Sequence, residues 1–600
     1  MLNNLSLLYN FFSKKHRHKI FYIQIIVIIS SLLEVSIIFL IAPIINILSN
    51  NIPIDDTSNL FHQIYNFFEF ENYNSFLMLI LSALMVIMLI STCIILLSLY
   101  IFTKFAYELG NIIRTEIYNY FILQPWVFHS QNENSMYLNK INHESARISS
   151  GVILQFLLAN SKIFTAITII IGLIIYNTYV TVLCLIVFSV SYYSIFKFFK
   201  IKLINSGIIV TTAQQKILKT INESFEGIRE IIVYGRQKIF SNKFFSSSHN
   251  YAEAERTITW LGLVPRYILE LIAFIVILIS IFIFLLKNES ETLISSLPIL
   301  ATYAFAGYKL LPIFQQIYTS ISLIRSNTNA IDSVSKELSE ISKSYLKFHD
   351  DQSFEKKLYV KNKITFKNVT LKYENGKKNA IKNINLELKN NSLVCLVGPS
   401  GSGKTTFLDI FLGLLDPQEG FVEIDNNKIN SLKLRDWQNN ISFVNQNIFL
   451  LNDTIKNNIC FGHDESKFDQ IKFDNALISS DVSTFLKDMK EGLDTIVGER
   501  GIRLSGGQRQ RIAIARALYH DKQIIVFDEA TISLDGISER FIIEKIKELS
   551  KTKLVLMVTH NLRLTKIANK IYLLNNGELI KSGSFEELKD NEIFNKLLNE

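Results

Sequence analysis

Six apolar stretches, at 20–48, 75–102, 151–176, 178–199, 258–286 and 293–324, each hold enough consecutive apolar residues to cross a hydrocarbon core as a helix. A core about 30 Å thick needs about 20 helical residues. Without water to satisfy the backbone, stretches this long have the helix as their solution. Buried helices of a large soluble protein would be shorter and would come with amphipathic partners. The charges agree with this division: 47 of the first 350 residues are Asp, Glu, Lys or Arg, against 69 of the last 250. A soluble domain is about 25% charged, so the second part fits that description and the first does not. The chain therefore reads as an all-α, six-helix transmembrane domain over residues 1–330, a linker over 331–358 and an α/β domain over 359–600. Disorder, a collagen-like fibre and a single-core soluble enzyme are excluded.

Loop charge sets the orientation, because loops rich in Lys and Arg stay inside. The N-terminal flank carries Lys14, Lys15, Arg17 and Lys19, whereas residues 50–74 carry Asp55, Asp56, Glu69 and Glu71 and no Lys or Arg. The connection between the fourth and fifth stretches holds Lys200, Lys202, Lys216, Lys219, Arg229, Arg236, Lys238 and Lys243. Both termini are thus expected on the cytoplasmic side of a bacterial inner membrane. The first stretch has no small-residue cleavage site and reads as an anchor. The net charge of +8 is then inward-facing loop charge rather than an affinity for nucleic acid. Helical apolar spacing continues past the spans through 104–150 and 200–257, with breaks expected at Pro125-Trp126 and near Gly227 and Gly235. On the outer side, Leu60, Phe61, Ile64, Tyr65 and Phe68 share one face of a short interfacial helix. Cys93, Cys184, Cys395 and Cys460 have no CxxC spacing, so neither a zinc site nor a disulfide framework is expected.

The second part carries phosphate chemistry. A strand at 393–397 leads into Gly398-Pro399-Ser400-Gly401-Ser402-Gly403-Lys404-Thr405, followed by Thr406 and an apolar helix. This is the G-x-x-x-x-G-K-[ST] pattern, in which glycines curl the backbone so that N–H groups face phosphate oxygens. The following helix N-terminus favours the anion. Lys404 can reach the outer phosphates, and the Thr405 hydroxyl can bind Mg²⁺. A second greasy strand, 524–527, ends in Asp528-Glu529, placing one acid at the Mg²⁺ shell and one where it can polarise an attacking water. Between them, Leu504-Ser505-Gly506-Gly507-Gln508 opens a helix and forms a second phosphate-binding terminus without a lysine.

Two such devices on one chain, with an intact LSGGQ turn, resemble the ABC transporters, specifically half-size exporters of six spans followed by one ATPase domain. The resemblance covers essentially the whole chain. It implies that Tyr373 stacks on adenine, that Gln446 links the Mg²⁺ shell to the membrane domain, and that Glu499-Arg500-Gly501 touches the intracellular helices. It further implies that Asp535 is the D-loop acid and His560 the switch histidine. The catalytic set is then Glu529, His560 and Gln446, with Thr405, Gln446 and Asp528 at Mg²⁺. The nucleotide is ATP. Family members sandwich ATP between the first phosphate loop of one subunit and the signature of another. With one complete set per chain, a second copy of the same chain suffices, and a homodimer is expected. Thr531-Ile532-Ser533-Leu534 and Asn561 depart from the common pattern without removing a catalytic group.

Ionisable groups within membrane spans are costly and are functional candidates by default. Glu34, Arg266, Glu270 and Lys309 are of this kind. Arg266 and Glu270, four apart, can neutralise each other, and Glu34 can pair with Lys309. Alternatively, Arg266 and Lys309 line a cavity and bind an anionic head group. Leu263-Val264-Pro265-Arg266, Tyr308-Lys309-Leu310-Leu311-Pro312 and the outer amphipathic helix are similar to the bacterial flippases of lipid-linked oligosaccharides in protein N-glycosylation. That resemblance implies an amphipathic, anionic polyprenyl-pyrophosphate glycan as substrate. Lys309 stands where Arg is expected, which removes a bidentate phosphate contact. A multidrug, peptide or other lipid exporter would use the same engine.

Overall fold

A computed structural model of the chain describes residues 11–50, 73–176, 178–286, 290–348, 359–373, 376, 378–429, 434–462, 466, 468–529, 536–559 and 562–599. The expected outer amphipathic helix at 60–68 lies outside the described residues, as do Asp535 and His560. The chain divides into two compact units, one of Met1–Gln124 with Phe128–Phe348 and one of Pro125–Val127 with His349–Glu600.

Among the described residues the elements up to Phe348 are all helices: α1 (Lys14–Asn50), α2 (Tyr73–Ile122), the short α3 (Trp126–Gln131), α4 (134–176), α5 (Thr178–Glu226), the short α6 (Ile228–Val233), α7 (Gln237–Leu286), α8 (Ser290–Ser326) and α9 (Thr328–Phe348). All six expected spans fall within α1, α2, α4, α5, α7 and α8. Helices α2 and α7 are 50 residues long and α5 is 49. At 1.5 Å per residue each is about 75 Å long, far beyond a core of about 30 Å. The helices therefore continue well past the membrane. Pro125 interrupts the chain just before α3, and Gly227 and Gly235 flank α6, as the sequence anticipates.

Two kinds of surface follow from that length. Within Met78–Ile122 and Asn134–Ile175 the helices are long and apolar enough to cross a membrane. Met85, Leu89 and Leu96 on α2, Val190 and Tyr193 on α5, and Phe274 and Leu278 on α7 are more than half exposed. Contiguous exposure of this kind is a liability in water, but lipid tails are as apolar as the side chains. Beyond the spans there is a core of the soluble type. Phe105, Leu109, Ile113 and Ile117 of α2 pack with Ile148 and Val152 of α4 and with Ile331, Val334, Leu338 and Ile341 of α9.

Helix α9 corrects the expectation of a linker over 331–358. Its polar composition hides an amphipathic repeat: Ile331, Val334, Leu338 and Ile341 recur at spacings of three and four, and all are buried. Lys140 of α4 pairs with Glu337 at 2.6 Å, and Tyr120 of α2 donates to Glu340. The stretch is thus a packed helix of the first unit as far as Phe348, and 349–358 lies outside the described residues.

The second unit contains two sheets. Strands β1 (Lys363–Leu371), β2 (Ile381–Lys389), β4 (Glu419–Ile424) and β5 (Asn427–Lys428) form an antiparallel sheet in the order β2-β1-β4-β5. The other sheet has the order β10-β9-β3-β8-β7-β6, from β3 (Leu393–Val397), β6 (Ile441–Val444), β7 (Ile524–Asp528), β8 (Leu554–Val558), β9 (Lys570–Asn575) and β10 (Glu578–Gly583). The run β9-β3-β8-β7-β6 is parallel. Parallel strands are covered on both faces and read as unbroken apolar runs, and β3 and β8 are buried along their whole length. Alternate residues divide between two cores. Val394, Val526 and Leu556 face Phe407 and Phe411 of helix α10 (Lys404–Phe411). Cys395, Phe527 and Met557 face Ala513 and Ile514 of helix α11 (Gly506–Tyr519) and Ile542 and Ile546 of helix α12 (Gly536–Leu549).

Candidate functional site

The first phosphate loop leaves β3 and enters α10 through three glycines in the left-handed region: Gly398 (φ +158°), Gly401 (φ +76°) and Gly403 (φ +100°). At Gly398 and Gly403 side chains are excluded sterically as well as conformationally. A Cβ on Gly398 would lie 2.2 Å from the Leu574 carbonyl oxygen, and one on Gly403 would lie 2.6 Å from that of Ala380. Ser400 and Gly401 form the exposed rim, and Thr405 is exposed at the start of α10. The buried Lys404 ammonium donates to the Gly398 oxygen at 2.7 Å and the Pro399 oxygen at 3.0 Å. Burial pushes Lys404 below the usual lysine range, while Glu529 and Asp528 pull it back up. The Ser402 hydroxyl is buried in the loop and makes no hydrogen bond among the described residues. Tyr373 sits beside the same turn. Its hydroxyl lies 3.2 Å from that of Thr406, and its ring is about half exposed (47%).

Strand β7 brings Asp528 and Glu529 to this loop. Burial, then Glu529 and Asp409, push the Asp528 carboxyl up to about 6, and Lys404 draws it down. Glu529 takes a left-handed backbone (φ +50°), which is uncommon outside glycine and costs energy. Its N–H donates to the Val558 oxygen at 2.9 Å, which holds the bend against β8. Gln446, two residues beyond β6, donates its side-chain amide to the Glu529 carboxylate. The structure therefore brings together Lys404, Asp528, Glu529 and Gln446, with Thr405 next to Lys404 in the chain.

The sequence reading missed Asp409, five residues after Lys404, which burial pushes up to about 6. The signal was present: a carboxylate within the apolar run Phe407-Leu408-Asp409-Ile410-Phe411 is out of place unless it faces a polar site. Asp528 and Glu529 beside Lys404, with Asp409 acting on Asp528, give this corner surplus negative charge. Among the described residues no cluster of three or more His, Cys, Asp and Glu could hold a metal ion. Mg²⁺ at nucleotide sites commonly uses only one or two protein ligands plus phosphate oxygens. The orphaned Ser402 hydroxyl and the glycine cradle fit the phosphates themselves.

The signature turn is a separate device. Ser505 caps α11: its hydroxyl accepts from the Gln508 N–H at 3.2 Å, and its own N–H donates to the Gln508 side-chain oxygen at 2.9 Å. This reciprocal box satisfies two backbone donors. It leaves the Ser505 O–H free to donate outward, and Gly506 and Gly507 contribute first-turn N–H groups with no intrahelical partner. Helix α11 packs on the sheet face opposite α10. Glu499-Arg500-Gly501 forms a turn in which Glu499 and Arg500 are exposed, Gly501 is buried and Arg500 is left-handed (φ +51°).

In the first unit, Arg266 pairs with Glu270 at 2.8 Å while remaining half exposed. Lys309 is part-buried on α8. Glu34 belongs to α1, but its side chain lies outside the description, as does any pairing with Lys309. Two cavities, of about 760 and 390 Å³, are lined by neither Arg266 nor Lys309.

Comparison with known proteins agrees with both units. Residues 381–532 match the ABC transporter family, and residues 20–284 match the ABC transporter transmembrane region. The chain is 29% identical over 483 residues to an ATP-dependent lipid A-core flippase of Aliivibrio fischeri, covering 79% of this chain and 80% of that one. It is 26% identical over 494 residues to the flippase of the same description from Vibrio vulnificus, covering 80% and 81%. A bacterial Atm1-family ABC exporter with ATP bound has the same fold, with TM-score 0.76 at 19% identity over 97% of this chain and 98% of that one.

Proposed function

Because the chain is an ABC half-transporter, a helical transmembrane region followed by an ABC ATPase domain that drives export with ATP, we propose that it flips an anionic, amphipathic lipid across the bacterial inner membrane. The substrate class we favour is a polyprenyl-pyrophosphate-linked oligosaccharide. The observation that carries the general reading is the hydrolytic geometry of Lys404, Asp528, Glu529 and Gln446 in a chain that also carries an exporter-type membrane unit. A lipid A-type glycolipid is the second reading, favoured by the flippases that the chain resembles. Both substrates join a phosphorylated sugar head to apolar chains.

In the proposed mechanism the backbone N–H groups of 398–405 cradle the phosphates, with Tyr373 beside the adenine. Lys404 swings from the Gly398 and Pro399 oxygens to the outer phosphates, which restore the charge interaction it lacks when buried. Thr405, Asp528 and Gln446 would hold Mg²⁺, which would neutralise phosphate charge. Glu529, aimed by Gln446 and by its fixed backbone, accepts hydrogen from the attacking water. The signature turn, Ser505 to Gln508, opens a helix on the other sheet face, so it serves the nucleotide on a second copy, and the chain acts as a homodimer. His560 and Asp535 complete the site by resemblance. Ligand binding shifts a conformational equilibrium only through differential affinity, and two ATP molecules held between two copies supply it. The termini are assigned to the cytoplasm from loop charge.

ATPase stimulation separates the substrate readings. Purified protein in nanodiscs is titrated with polyprenyl-pyrophosphate glycan, lipid A or hydrophobic peptides and drugs. Stimulation by the polyprenyl glycan is expected. Stimulation by lipid A alone would favour the second reading, and stimulation by peptides or drugs alone would overturn both.

A further inference from the structure

Beyond the nucleotide site, the first unit encloses a charged group that ATP chemistry does not use. Glu144 of α4 is fully buried, and Arg147 pairs with it at 3.0 Å. Around them α4 is irregular: Ser145–Arg147 is a single α-turn between the wide π-turns Asn139–Glu144 and Ile148–Ile153. Such turns are rare and concentrate at functional sites. The Arg147 guanidinium reaches three separate parts of the chain. It donates to Glu144, to the Thr211 hydroxyl on α5 at 2.6 Å, to the Asn327 side chain at 2.7 Å and to the Ser326 carbonyl at 3.1 Å. Ser326 ends α8 and Asn327 connects it to α9.

Close backbone approach is built into the same level. A Cβ on Gly207 of α5 would lie 2.0 Å from the Ser326 oxygen, and one on Gly151 of α4 would lie 2.4 Å from the Asn327 amide nitrogen. On α2, a Cβ on Gly110 would lie 2.5 Å from Ser149. Glycine packing alone would let helices slide. A buried charge forbids intermediate positions, because an arginine separated from its partners leaves an uncompensated ion. The planar fork of Arg also fixes direction in a way a lysine cannot.

We propose that Arg147 is a positioning residue for the transport cycle: anchored by Glu144, it fastens α5 to the α8–α9 junction so that the two move as one body when ATP acts. The test is hydrogen–deuterium exchange of the full-length protein in nanodiscs, with and without MgATP, on the Glu529→Gln background. It needs no transported substrate, so it stands apart from the lipid reading. With Arg147 intact, ATP should change exchange at 204–214 and at 323–333 together. Arg147→Ala alone strands a buried carboxylate and can simply misfold. Thr211→Val and the double variant Glu144→Gln/Arg147→Met therefore carry the test, since they leave no charge unpaired. Each should weaken the ATP response at 204–214 by about threefold or more while sparing 323–333 and ATP affinity. An undiminished joint response in both variants, or a parallel loss of both responses with ATP affinity, overturns the assignment.

Discussion

Glu529 concentrates the chemistry of the site in one residue. Its left-handed backbone, its N–H bond to Val558 and the Gln446 amide on its carboxylate hold a strained conformation that only the surrounding strands maintain. Strain of this kind persists where function requires it. Glu529→Gln should bind ATP with unchanged affinity and lose about 10²–10⁴-fold in turnover, the contribution of a positioned general base. Nucleotide binding and phosphate release, measured side by side, check this. Asp528 adds a pH dependence. Its folded-state value, up to about 6, lies above the ordinary 3.8, so between these the folded protein holds an extra proton. Without nucleotide, this group's contribution to stability is present at low pH and fades as pH rises through about 6. Metal binding needs the ionised form, so MgATP affinity should fall as pH drops below about 6 and proton release should accompany binding, both measurable by calorimetry. The motif residues were legible because spacing alone encodes a phosphate loop. Asp409 was legible only as a carboxylate out of place in an apolar run, because its meaning comes from its influence on Asp528 in the fold.

Helices and turns show where sequence patterns mislead. The long helices and their breaks at Pro125, Gly227 and Gly235 followed from periodicity and backbone chemistry. Helix α9 did not, because its many Ser, Lys and Glu residues resemble a linker, although its buried Ile331, Val334, Leu338 and Ile341 repeat with helical spacing. The π-turns of α4 had no local signature. They surround Glu144, held by Asn139, His143 and Arg147 of α4 itself, and Arg147, which also reaches Thr211, Ser326 and Asn327. Two predictions belong to turns. Ser505→Ala removes a cap and should destabilise α11 by about 1 kcal/mol, lowering turnover more than ATP binding; thermal melts and ATP titrations check this. Gly403→Ala places a Cβ 2.6 Å from the Ala380 oxygen at φ +100°, so it should weaken ATP binding itself, which a direct titration would reveal.

For the whole molecule, charge distribution and two motifs were enough to read an export machine from one chain. The cargo was less legible, because Arg266 is already paired with Glu270 and neither described cavity contains it. On the proposed reading, an anionic head group at Arg266 would have to compete with the Glu270 carboxylate. The most direct measurement is flipping in sealed proteoliposomes. A fluorescent polyprenyl-pyrophosphate glycan is placed in the bilayer and its accessibility to an impermeant quencher is followed after ATP addition, with wild type beside Glu529→Gln. ATP-driven flipping predicts a change in accessibility with wild type and none with the variant. A wild-type protein that hydrolyses ATP while leaving this glycan and labelled lipid A on their original leaflets would contradict it.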